Sequence, residues 1–205
     1  MSGIIAQNSG RHTGLVKASS GGGGVWNLIE TLTSDGSDSD LSFTSGIDST
    51  YDEYVFKFID IHPETDGAEF QFNMSIDSGS NYNVAKTATF FQSQHDEGDT
   101  YTNLGYLTAH DSAQATGFQD LGRNVGNDND QSCAGYLHLF NPSSDVFIKH
   151  FIARLNNAQD ISSTHYSAET FIAGYGNTTS AVDAVQFKMS ADEIQGGSIS
   201  LYGIS

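Results

Sequence analysis

Seven histidines, 25 carboxylates and one cysteine are the groups in this 205-residue chain that could do acid–base, metal or nucleophilic chemistry. Their spacing is the first thing to test. No Ser lies in a Gly-x-Ser-x-Gly elbow, and no histidines take the His-Glu-x-x-His spacing of a zinc helix. GRHTGLVKAS lacks the Gly-Lys-Ser/Thr ending of a phosphate-binding loop, because Lys17 follows Val16. His95 and His110 sit beside Asp96 and Asp111 in polar stretches and are the histidines best placed for binding. His138, by alternation, shares a strand face with Tyr136 and Phe140 and reads as a packed residue. Acidic clusters occur at 34–40, 95–99 and 126–130. Calcium favours several such oxygens. None has the register of an EF-hand, and solvated acidic loops are the favoured reading. Asp128 and Asp130 are the pair to choose if one cluster does bind calcium. Paired carboxylates could also hydrolyse glycosides, but with 25 acids such pairs arise by chance. Tyr101, Phe118 and Arg123 complete the set of loop residues suited to contacting a receptor, the two aromatic rings by stacking on sugars. Cys133 reads as a small buried hydrophobe. No cofactor is implied, and no enzymatic activity.

Elements must hold these groups in place, and the dominant period is two. In residues 68–77, Phe70, Phe72, Met74 and Ile76 alternate with Glu69, Gln71, Asn73 and Ser75, as in a half-buried strand. Similar runs fall at 25–33, 53–61, 81–91, 103–109, 133–140, 145–154, 165–175, 184–190 and 198–204. The Asp-Ser-Gly-Ser turn at 77–80 predicts a hairpin joining 68–77 to 81–91. A single helical turn is predicted over 190–195. Two polar connections, 92–102 and 110–132, are long enough to be functional loops. Many short strands with Gly, Asn and Asp turns predict an all-β fold, an antiparallel jelly-roll-type β-sandwich.

Charge divides the chain in two. Residues 1–24 carry two basic and no acidic residues and end in four glycines; removing that +2 from the total of −17 leaves −19 for residues 25–205. So acidic a body argues against nucleic acid as a partner, since phosphate binding needs Lys and Arg. No apolar run approaches the ~20 residues of a membrane helix, and the start lacks the apolar core of a signal peptide; a soluble protein is expected. The domains expected are an extended basic arm over 1–24 and a β-sandwich body over 25–205.

Three stretches resemble a known group. SGIIAQNSGRHTGLVKA, with Asn8-Ser9-Gly10-Arg11-His12-Thr13-Gly14-Leu15, resembles the start of small structural proteins of tailed bacteriophages, marine phages especially. SISLYGIS, with Gly197, Leu201, Tyr202, Gly203 and Ile204, resembles their closing strand. YDEYVFKFIDIHPETDGAEFQFNMSIDSGSNY resembles a segment between. The resemblance covers about half the chain and implies a virion structural protein. It implies that the arm docks on the particle through Ile4, Ile5, Asn8, Arg11, Leu15 and Lys17, while the body serves as a tail-fibre or tail-appendage protein in host adhesion. It also implies other virion proteins as partners, a homotrimer, and contact of the long loops with host-surface glycan. The location implied is the virion, after synthesis in the host cytoplasm. A capsid-decoration protein is the alternative, and a free lectin-like module a further one.

Overall fold

In the computed structural model the described residues are 25–205, so the arm and its six proposed docking residues lie outside them. Thirteen strands form, all pairing antiparallel: β1 (Trp26–Thr33), β2 (Leu41–Phe43), β3 (Glu53–Pro63), β4 (Ala68–Ser75), β5 (Lys86–Asp96), β6 (Thr102–Tyr106), β7 (Ser112–Ala115), β8 (Gln119–Val125), β9 (Cys133–Phe140), β10 (Lys149–Ile161), β11 (Thr164–Gly176), β12 (Ala184–Met189) and β13 (Ile194–Ile204). The fold is all-β, as its alternation requires. One layer runs β1-β13-β3-β9-β10-β11-β5, with β6 and β7 on the outer edge of β5; the other runs β8-β4-β12-β2. A single pairing of Gln159 with Val125 joins them, so the wall nearly closes on itself.

The layers meet over a cluster of aromatic rings. Phe187 of β12 stands 5.1 Å from Phe56 and 5.2 Å from Phe58 across the sandwich, and 5.9 Å from Phe70 beside it. Phe72 of β4 meets Phe151 of β10 edge-on at 5.0 Å. All of these rings are buried. Edge-to-face pairs add about 0.5–1.5 kcal/mol each beyond the area they bury.

Several expectations are corrected. The turn at 77–80 forms, with Ser80 N–H on the Asp77 carbonyl at 3.2 Å, but it does not make a hairpin. Both edges of β4 are taken, by β8 and β12, so residues after 81 cross to the other layer and enter β5 there. Residues 110–132 are not one loop; they contain β7 and β8. Residues 145–148 precede β10 as a turn rather than forming its start, and β10 extends to Ile161. No helical turn forms at 190–195; Asp192 takes a positive φ of 52° and β13 begins at Ile194.

The six cations of the body are all engaged. Lys57 lies over Trp26, Lys188 over Phe118 and Arg154 over Phe171. Arg123 donates to Gln92 Oε1 at 3.4 Å. Lys86 and Lys149 are buried. Among the described residues no helix is long and apolar enough to cross a membrane.

Candidate functional site

β10 and β11 form a long hairpin closed by Ser162 and Ser163, both with positive φ (56° and 64°). Asp160 Oδ1 accepts the Ser163 N–H at 2.9 Å and holds the turn. The register sets Asp160 opposite His165, and Ser167 opposite both Ala158 of β10 and His95 of β5. Three adjoining hollows of about 220, 370 and 320 Å³ follow this end of the molecule. They share His95, Asn156 and Ser167 on one side, and Glu97, Ala158 and Tyr166 on the other.

The rim is built by side chains that capture backbone. The buried Asp96 carboxylate accepts from Thr100 Oγ1 (2.6 Å), Thr100 N–H (2.8 Å) and Tyr101 N–H (2.7 Å). The Thr100 hydroxyl first, then the Tyr101 amide, hold its pKa below the ordinary carboxylate value. The tight loop they make presents Tyr101 half-exposed, edge-on to Tyr166 at 6.0 Å. On the floor, the Asn156 amide donates to Ser167 Oγ and the Ala168 carbonyl, both at 3.1 Å.

Beneath the floor the interior is made of amides. Asn157 and Gln159 each donate to the Arg123 carbonyl at 2.7 Å, and Gln94 donates to Gln159 Oε1 at 2.6 Å. Asn157 is fully buried and lines the first hollow, and its Oδ1 has no hydrogen-bond partner. A buried acceptor without a partner is rare and costs about 1–3 kcal/mol; this one lies inside the sandwich, closed off from the groove.

The 126–132 loop closes the far end. Gln131, buried, donates through Nε2 to His165 Nδ1 at 2.9 Å while its Oε1 accepts Asp128 N–H at 3.2 Å. The second bond fixes the amide's orientation, so Nδ1 of His165 accepts and Nε2 carries the proton. That nitrogen faces Asp160 Oδ2 at 3.8 Å. Gly126 must lack a side chain, because a Cβ there would overlap Gln131 Oε1. Asp128, Asp160 and His165 offer ligand atoms within 4.8 Å of one another. A cation bound through Nε2 would need the other tautomer, at the cost of the Gln131 bond to Nδ1, and at 3.8 Å the imidazole and the Asp160 carboxylate are near but not hydrogen-bonded.

The structure therefore gathers His95, Tyr101, Asp128 and Asp130 at one end, with Asp130 on the third hollow and His95 exposed at 3.2 Å from Asp99. It places three other sequence candidates elsewhere or inside. His110 is half-buried, donates through Nδ1 to Asp120 Oδ2 at 2.6 Å and lies against Phe90. Phe118 is half-buried beneath the Lys188 ammonium at 4.7 Å. Arg123 serves through its carbonyl as the acceptor for two amides. The sequence reading missed Asn156, Asp160, His165, Tyr166 and Ser167. Their signal is the two-serine turn, without which Asp160 and His165 do not stand opposite. His138 packs between Tyr136 (5.1 Å) and Phe140 (6.1 Å) as its alternation required. Cys133 is buried, and desolvation pushes its thiol well above the ordinary value. No protein-family model matches this chain, no curated protein matches it, and no solved structure does.

Proposed function

We propose that this chain is a non-enzymatic structural protein of a tailed-phage particle, an appendage whose 1–24 arm anchors it and whose hairpin-end groove takes a host-surface glycan. The observation that carries the binding part is the groove itself: amide and hydroxyl groups on its floor and the Tyr101–Tyr166 pair at its rim. Sugars need planar hydrogen-bonding groups for their hydroxyls and an aromatic face or edge for their C–H surface. Glu97, Asp128 and Asp130 border the same groove, and a body of −19 repels anions. The glycan that fits is therefore neutral rather than uronic or sialylated. The virion part rests on the resemblance of the arm and the closing strand.

The test is binding of the full chain to neutral and acidic surface polysaccharides purified from the host, together with electron microscopy of particles labelled by antibody to residues 25–205. Saturable binding to a neutral glycan, weakened by Tyr101→Ala, supports the groove. Label on the tail supports an appendage, and label over the head transfers the anchoring to capsid decoration. Unlabelled particles overturn the virion reading, and release of reducing sugar overturns the non-enzymatic one.

A further inference from the structure

The outward face of β9, β10, β11, β5 and β6 is unusually apolar for so acidic a protein. Cross-strand register aligns Tyr136, Arg154, Phe171, Phe91 and Tyr106 in one row across the five strands. Phe91 and Phe171 stack at 5.1 Å with planes 6° apart. Ile152 in the neighbouring row is 50% exposed, and Leu104 on the edge strand is 74% exposed. Along β10 from His150 to Asn156, and on the strands beside it, the outward side chains carry only two full charges. These are Arg154 and Glu169, and they pair with each other. Two further acids border it: Asp111 accepts the Tyr106 hydroxyl at 2.8 Å on the outer edge, and Glu53 of β3 meets His138.

We propose that this face packs against the same face of a second copy of this chain. Charge is the first argument. Two bodies of this charge repel wherever their carboxylates meet, and this neutral patch is where they can approach without that cost. Area is the second. Five strands about 4.8 Å apart and four rows about 6.8 Å apart span roughly 600 Å². Across β3, where the outward Glu53 and Lys57 offset each other in charge, and on to β13 and β1, the face reaches roughly 1,000 Å². A stable complex buries about 800 Å² per partner. A monomer rarely leaves so large an apolar patch open to water. The inference stands on the outer face alone and is independent of the glycan reading.

The experiment is sedimentation analysis of the full-length chain, at about 100 µM, above the micromolar dissociation constants that weak interfaces of this size reach. We expect a mass of twice the 22.0 kDa chain, because a face that packs on itself closes at two copies. Association should tighten between low and moderate salt, because screening removes the repulsion of the acidic bodies while leaving the apolar contact. Ile152→Asp with Leu104→Asp should return the mass to 22.0 kDa with the circular-dichroism melt unchanged. Leu104→Asp alone, at an exposed position on an edge strand, serves where the pair does not fold. A wild-type chain that sediments as a monomer overturns the proposal, and so does an oligomer that both variants leave intact.

Discussion

Lys86 is a lysine with no carboxylate partner, fully buried between β4 and the 116–118 turn. Its ammonium donates to Asn73 Oδ1 (2.6 Å), the Gly117 carbonyl (2.8 Å) and the Val84 carbonyl (3.0 Å). Desolvation pushes its pKa from 10.5 down to about 7. The unfolded chain then holds a proton between pH 7 and 10.5 that the folded chain does not. Raising the pH through that window favours the folded state, and lowering it to 7 removes the gain. Between pH 6 and pH 9 the gain from Lys86 is about 2.6 kcal/mol. Lys86→Met removes the charge and strands chiefly the Val84 carbonyl, since Asn73 Oδ1 keeps the Met74 N–H at 2.9 Å and the Gly117 carbonyl keeps the Asn73 amide at 3.3 Å. That orphan costs about 1–3 kcal/mol, against about 4–5 kcal/mol for burying the ammonium at pH 6. The variant should therefore be more stable than wild type by about 2–4 kcal/mol at pH 6 and within about 1 kcal/mol of it at pH 9. Urea unfolding followed by far-ultraviolet circular dichroism at both pH values measures this. A loss of equal size at the two values would refute the reasoning, because it would mean that the three oxygens hold the lysine charged throughout.

Four further outcomes are expected. Phe187→Ala should cost about 3–5 kcal/mol in urea unfolding, since its ring is the hub of the aromatic cluster; a loss below about 1 kcal/mol would contradict that role. Gly126→Ala should cost about 1–3 kcal/mol by displacing Gln131 from His165 and Asp128, with an altered His165 ring resonance in NMR as the second readout. Titration of the chain with Ca²⁺ or Zn²⁺ should give no saturable heat, because His165 Nε2 carries a proton toward Asp160; micromolar zinc binding lost in Asp160→Asn would reverse that tautomer assignment. Tyr101→Ala should weaken glycan binding roughly two- to tenfold, while Phe118→Ala, at a ring covered by Lys188, should leave it unchanged.

The strands that were legible in the sequence are those whose inner residues are apolar. β9 was placed at 133–140 with both ends correct, and β1, β12 and the last seven residues of β13 nearly so. β2, with Leu41 and Phe43 inward, was missed because three residues are too few to show alternation; the longer strands that were missed or truncated put polar groups inside. β8 buries Gln119, which accepts the Ser112 hydroxyl at 2.6 Å and donates to the His110 carbonyl at 2.8 Å. The distal half of β10 buries Asn157 and Gln159. Alternation of apolar with polar residues cannot reveal a strand whose inner side is itself amide. The hairpin at 162–163 was hidden for another reason. Two serines take the left-handed conformation that a sequence usually signals with Asn or Gly, and the Asp160 carboxylate supplies the stabilising bond instead. The groove was half legible for the same cause. Tyr101, His95 and the 126–130 acids lie in polar segments and stood out, whereas Asn156 fell beyond the strand read at 145–154, and Tyr166 and Ser167 belong to a strand read only for its packing.

These two features are connected along β10. Inward, its residues pass from Phe151, Ala153 and Leu155 to Asn157 and Gln159; outward, they pass from Ile152 and Arg154 to Asn156, Ala158 and Asp160. The inner face turns from apolar to amide beyond Leu155, where the outer face has already lost its large apolar side chains. The amide interior there is tied together by directional bonds to one carbonyl, that of Arg123. Such a network fixes side chains in a way an apolar interior does not, and a rigid floor reduces the ordering cost of binding a flexible sugar. The outer apolar rows end where the groove begins. A second copy packed on those rows would set two grooves on one assembly, and weak single-site affinity for a repeating glycan would then be multiplied through effective concentration. On that reasoning the Ile152→Asp, Leu104→Asp pair should lower binding to long polysaccharide far more than binding to a short oligosaccharide. Equal losses for both would mean that the face and the groove act separately.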